Sequence, residues 1–184
     1  MNPARALART AKRLAPGLAA LAVFVAPTVA QSGPLAREVK AGFLVKFGAY
    51  VAWPAAALPD GAPLTICTVG DDPIGALVDS AAQGQTVGGR AVQVRHLDSV
   101  DRDSGCQIAF LADGVSSDAI RGAPVLTVTD GAGPARRGMI DFTLVDGRVS
   151  FSIDQAAATA AGLTISSKLL QIAASVRQQE RQER

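Results

Sequence analysis

A mixed α/β fold built on a mainly parallel sheet is predicted by three features of the chain. Short runs rich in β-branched residues alternate with helical or turn segments from Leu64 to Val128, the order that lays parallel strands side by side with helices on both faces. Gly138 to Val145 and Arg148 to Asp154 are two more strand-like runs joined at Asp146-Gly147. Both positions of such a turn need positive φ, so the pair closes an antiparallel hairpin, which should finish the sheet at one edge. Amphipathic helical stripes stand before and after this block.

Residues 1–30 have the layout of a secretory signal. Arg5, Arg9, Lys12 and Arg13 supply a positive start, Leu14 to Ala26 an apolar run broken by Pro16 and Gly17, and Thr28-Val29-Ala30 a small-residue cleavage site before Gln31. The apolar run is shorter than the roughly 20 residues of a membrane-spanning helix. No cysteine lies near the cleavage point, which argues against a lipid-modified N-terminus. Residues 31–184 are therefore expected as one domain, exported and soluble after cleavage, most simply into a bacterial periplasm. The chain carries 18 Lys and Arg against 16 Asp and Glu, and four of the basic residues lie in the signal. The remaining domain, with 14 basic and 16 acidic residues, has a net charge of −2. It shows no basic cluster with interleaved aromatics, so a nucleic-acid partner is not expected.

The first helix is predicted over Leu35 to Val51. Leu35, Val39, Phe43, Phe47 and Val51 recur every fourth position, Leu44 and Tyr50 widen the stripe, and Arg37, Lys40 and Lys46 lie off it. Pro54 disfavours helical geometry at Trp53 and ends the helix there. Trp53 either caps the core or offers an aromatic face to a partner. Pro54 to Pro63 reads as a loop and Leu64 to Val69 as the first strand. Asp72 before Pro73 starts a helix through Ala82, with the carboxylate as cap. Gly84, Gly88 and Gly89 mark the return loop to a strand over Ala91 to Leu97.

Further strands follow at Gln107 to Ala112 and Pro124 to Val128, with a short helix possible at Ser116 to Arg121. The connection Asp98 to Gly105 is short for a parallel crossover, so the strands it joins could instead run antiparallel. After the hairpin, Asp154 caps a short helix through Ala161, stopped by Gly162. Ser166 or Ser167 caps a last helix whose buried stripe is Leu169, Leu170, Ile172, Ala173 and Val176. The tail from Gln178 is charged and expected to fray.

Residues with chemistry are few. Cys67 and Cys106 are the two cysteines, and an even pair in an oxidising compartment is most simply a disulfide, with free or switching thiols as the alternative. With the single histidine, His96, they cannot fill a tetrahedral metal site. A Ser-His-Asp hydrolase needs an oriented histidine, and His96 lies on a predicted strand in a chain without a GxSxG element, so a packed or edge histidine is the better reading. Neither Gly70 to Gly75 nor Gly84 to Gly89 carries the Lys and Ser/Thr of a phosphate loop. Asp71, Asp72, Asp113 and Asp130 fall just after strands, at the edge where open α/β sheets bind ligands. Such a cluster could hold a hard cation. Each of three has a local duty instead, Asp72 as a cap and Asp113-Gly114 and Asp130-Gly131 as turns. No enzyme activity, metal or cofactor is expected, and a small-ligand-binding module without catalysis is the main alternative.

The order of several motifs resembles the YfiR-like family of periplasmic regulatory proteins. These motifs are Lys40-Ala41-Gly42-Phe43-Leu44 with Phe47 and Trp53-Pro54, Leu64 to Gly70 with Cys67, Gly89-Arg90, Cys106, Pro124 to Thr127, Gly138-Met139-Ile140 and Ala161 to Leu170. The resemblance spans roughly residues 36 to 176. It implies an adaptor that restrains an inner-membrane diguanylate cyclase, or another sensor protein, by binding its periplasmic region. An outer-membrane lipoprotein as second partner and a homodimer are implied in the same way. Cys67 and Cys106 match the family's bridge; the second cysteine pair of some relatives is missing, so sensing through two bridges does not carry over. Docking is expected through an apolar surface of the sheet edge and terminal helices, with Trp53, Arg148 and Phe151 as candidate contacts.

Overall fold

The structure is a computed structural model that describes residues 33–131, 133 and 137–178. The signal segment 1–30 and the tail beyond Gln178 lie outside the described residues.

Helix α1 (Pro34–Phe47) is followed by a 3-10 turn (Gly48–Tyr50) and a two-residue strand β1 (Val51–Ala52). The helix thus ends six residues before Trp53, short of the Val51 boundary predicted from periodicity. At Gly48, where the 3-10 turn begins, the chain passes so close to Leu64 that a Cβ there would overlap its Cδ2. Val51 and Ala52 are then drawn into an antiparallel pair with β9 (Thr164–Ile165), so tertiary pairing overrides the local helical repeat. The buried face also differs from the predicted one. Leu35 is 72% exposed, whereas Lys40, expected on the polar side, is 1% exposed and lies among Ala41, Leu44, Val45 and Phe47.

The remaining elements are β2 (Leu64–Val69), α2 (Ile74–Ala82), β3 (Thr86–Val87), β4 (Arg90–Leu97), β5 (Ile108–Leu111), β6 (Leu126–Asp130), β7 (Ile140–Val145), β8 (Arg148–Asp154), α3 (Gln155–Ala160), α4 (Ser167–Ile172) and β10 (Ser175–Arg177). A second 3-10 turn (Asp118–Ile120) occupies the predicted short helix. Eight strands form one sheet in the order β10-β8-β7-β6-β5-β2-β4-β3. It is parallel except at the hairpins β7-β8 and β3-β4, which is the mixed, mainly parallel α/β architecture expected.

Local signals hold at several ends. Asp72 Oδ1 accepts from the Ile74 N–H (2.8 Å), Asp154 Oδ1 from the Ala157 N–H (2.9 Å) and Ser166 Oγ from the Lys168 N–H (3.3 Å). Asp146 and Gly147 adopt φ of 51° and 73°, the left-handed pair that the β7-β8 turn requires.

Three predictions are corrected. The strands β4 and β5 neither pair nor oppose each other: β2 lies between them and runs parallel to both. The β7-β8 hairpin does not finish the sheet, because Ser175–Arg177 pairs in parallel with Ser152–Asp154 and occupies the edge. The last helix accordingly stops at Ile172, which is 61% exposed, and Val176 belongs to β10. The main-chain groups on the outer side of β8 find partners this way, which a longer α4 could not supply.

Strand alternation sends side chains to two cores. Ile66, Ile108, Phe110, Leu126, Val128, Ile140, Phe142, Phe151 and Ile153 meet α1, α2, α3 and α4 on one face. Cys67, Val69, Ala109, Leu111 and Val125 face the other way. There the cover is the 98–107 connection, through Val100 and Cys106, and the 3-10 turn, through Ile120. Both faces are covered, but only one by α-helices. Cys67 in β2 and Cys106 at the end of the crossover are joined by a disulfide closing a separation of 39 residues, with Cα atoms 5.8 Å apart.

Candidate functional site

The carboxyl ends of β2, β5 and β6 form a cavity of about 100 Å³ lined by Asp72, Phe110, the segment from Leu111 to Val115, Thr129 and Asp130. This is the place where strand order brings loops together in open α/β sheets. Three of the four predicted aspartates, Asp72, Asp113 and Asp130, reach its wall; Asp71 is exposed beside it. Each wall carboxylate is engaged. Asp72 caps α2, and Asp113 has a bonding partner of its own. Asp130 receives Lys40, whose Nζ donates to Oδ1 at 2.7 Å and to Oδ2 at 2.6 Å.

That ion pair was not legible from sequence. Lys40 belongs to a helix and its partner lies 90 residues on, so no local spacing links them. Physically it fastens the middle of α1 to the end of β6, because a buried ammonium must keep a carboxylate close. Behind it, Thr129 Oγ1 donates to Asp141 Oδ1 (2.7 Å) and accepts from the Gly138 N–H (3.0 Å), while Thr127 Oγ1 accepts from the Met139 N–H (3.0 Å). These bonds stitch β6 to the start of β7. Among the described residues no group of three or more His, Cys, Asp or Glu side chains lies within reach of a common metal ion.

His96 has the outline of a catalytic relay. Its Nδ1 lies 2.7 Å from Thr68 Oγ1 and its Nε2 2.9 Å from Asp79 Oδ2. A nucleophile must reach its substrate, however, and Thr68 is 4% exposed beneath α2. At Gly75 a Cβ would come within 3.1 Å of the imidazole, so α2 rests directly on the pair. The three side chains bridge β2, β4 and α2 as a structural polar link, in keeping with a packed edge histidine.

The predicted contact residues do not form one surface. Phe151 is 2% exposed and lies edge-on to Phe43 and Phe47, with ring centroids at 5.5 and 5.2 Å. It is a core residue and cannot meet a partner while the fold is intact. Trp53 is half-buried and its Nε1 donates to Gln107 O (3.2 Å). The Gln107 side chain in turn accepts from Thr65 N–H and donates to Ala57 O, both at 2.9 Å. Trp53 therefore caps the core and holds the 54–63 loop, the first of its two predicted roles. Arg148 alone is freely exposed, paired across the hairpin with Val145. Leu144 and Val145 at the same hairpin end are 40% and 45% exposed, apolar side chains that alternation alone did not single out.

A mainly parallel sheet with the Lys40–Asp130 pair at its carboxyl edge and a single disulfide on its crossover defines a mixed α/β module. The chain belongs to the YfiR/HmsC-like family, whose profile matches residues 37–174. That family is one of periplasmic regulatory proteins. No curated protein matches the chain. Among the described residues no helix is long and apolar enough to cross a membrane.

Proposed function

We propose that the chain is a periplasmic regulatory adaptor that restrains an inner-membrane diguanylate cyclase, or another sensor protein, by binding its periplasmic region. The family match over residues 37–174 carries this reading. Residues 1–30 act as the export signal, and residues 31–184 work as one exported domain. The contact surface includes Arg148 and its cross-strand neighbour Val145 at the hairpin end, with Leu144 exposed on the opposite face of the same tip. An outer-membrane lipoprotein that sequesters the adaptor, and a homodimer, belong to the same reading. The adaptor needs no cofactor and performs no catalysis.

Deleting the gene in its own host should raise cyclic di-GMP, and complementation should restore it. Unchanged cyclic di-GMP would count against the cyclase as target, and a membrane-protein pull-down with the exported protein would then identify the sensor. Arg148→Glu should weaken recovery of that partner without altering the unfolding transition.

A second reading, a small-ligand-binding module, is favoured by the cavity at the carboxyl edge of β5 and β6. Calorimetry against Mg²⁺, Ca²⁺ and a nucleotide panel separates the two: the adaptor gives no saturable heat.

A further inference from the structure

The strand β4 has eight residues, yet its outer neighbour β3 pairs only with Arg90 and Ala91. Two hydrogen bonds fix which main-chain groups face outward. The Val92 N–H donates to Gln85 O (3.2 Å) on the β3 side, and the Leu97 carbonyl accepts from the Gly70 N–H (2.8 Å) on the β2 side. Main-chain groups of successive strand residues point alternately to the two sides. Val94 and His96 therefore share the orientation of Val92 and direct their N–H and C=O groups away from β2. Beyond Gln85 the chain turns through Gly84 into α2, and no strand among the described residues continues along that edge.

The sheet's other edge is blunted. There β10 has three residues, and its Arg177 donates to Asp154 Oδ2 at 2.9 Å. Short strands and charges are how sheets discourage pairing at an edge. Over Val92–Leu97, β4 has neither brevity nor proline, and its one arginine, Arg95, lies on the face turned to the crossover, where it donates to Ser104 O. A groove of about 470 Å³ runs beside it instead, between α2 at Asp79, Ala82 and Gln83 and the strand at Val92 and Val94.

We propose that the open edge of β4 accepts an extended segment of a second protein as an additional strand, antiparallel to β4 and in line with β3. The existing β3 pairing sets the direction and the starting point of the added strand at Gln85. The two faces of β4 set its chemistry. Val92 and Val94 are half-buried against the helical core, and Gln93 and Arg95 are exposed on the other face. The segment is thus aliphatic at positions facing the groove and acidic at alternate positions facing Arg95, and about five residues long. The inference holds whichever signalling protein is restrained, since it concerns how an extended polypeptide is held and not what it belongs to.

Amide exchange measured by nuclear magnetic resonance on the exported protein tests this with a capped hexapeptide of alternating valine and glutamate. The peptide should slow exchange at Val94 and His96, and a version N-methylated on its pairing amides should not. Val94→Pro should abolish the effect while the thermal transition persists, because the Val94 N–H lies off the β2 ladder. Should that variant unfold, Arg95→Glu decides, by switching the preference to the valine-lysine peptide. Absence of protection, protection confined to other residues, or equal binding by both variants overturns the proposal. So does protection of Val94 and His96 without peptide, whether it rises with protein concentration, as for a second copy, or is independent of it, as for a segment of this chain.

Discussion

The two faces of the sheet are secured by different physics. On one, four α-helices bury a continuous apolar core in which Phe43, Phe47, Phe142 and Phe151 lie with ring centroids 5.2 to 6.3 Å apart. On the other, a ten-residue crossover and a 3-10 turn cover a smaller core, and the Cys67–Cys106 bond pins the crossover to the central strand. Where a helix supplies apolar area, burial suffices. Where a loop must do the covering, fewer side chains are available and the covalent bond restricts the unfolded chain instead.

The largest change should come from the helical face. Phe47→Ala removes a fully enclosed ring from the aromatic cluster and should cost about 4 kcal/mol of unfolding free energy in denaturant titration. Replacing Cys67 and Cys106 by alanine should cost up to roughly 4 kcal/mol by the chain-entropy relation for a loop of this length. It should also speed amide exchange in 98–107 before any change in α1; simultaneous loosening of both would contradict the division between the faces. Asp130→Ala takes the carboxylate from an enclosed ammonium and should cost about 3 kcal/mol. Lys40→Met should cost less, since the carboxylate it leaves is one-third exposed. Trp53→Phe loses the bond to Gln107 O and should cost about 1 kcal/mol.

The smallest effect concerns the crossover turn. The Ser104 hydroxyl that donates to Asp101 holds its carboxyl below the ordinary value of 3.8, together with main-chain donors, against opposing desolvation. A carboxyl lowered in the folded state stabilises it above the unfolded value, and the contribution is lost as pH falls through the folded value. Acid should therefore loosen the 98–107 turn below pH 3.8, and Asp101→Asn should remove that dependence and slightly lower the neutral-pH transition; exchange rates across pH 2 to 5 would check this.

The contrast also explains what could be read in advance. The strands β2, β4, β5, β7 and β8, the helix α2 and the caps at Asp72, Asp154 and Ser166 rest on neighbours in sequence, and their patterns were plain. The cysteine pair was legible because compartment and number together point to a bridge. Illegible were the outcomes decided by distant partners. Lys40 looked like a solvated residue until Asp130 closed on it, and Val51 continued a helical repeat until Ile165 claimed it as a strand. Val176 lies on both a helical and an extended pattern, and the outer edge of β8 decided between them. Phe151, on an alternating strand, fits a core position as well as a contact one, because alternation tells which positions share a face but not what covers it.

The N-terminal helix draws its partners from along most of the domain. Its lysine waits for a carboxylate 90 positions later, and the strand that follows it waits for Thr164–Ile165. Part of its cover arrives early, because α2 (Ile74–Ala82) packs against it, while its ion pair and the strand pairing beyond it need residues that a nascent chain supplies much later. Such a protein leaves its ribosome, or any pore it threads, with its first helix covered early but fastened late.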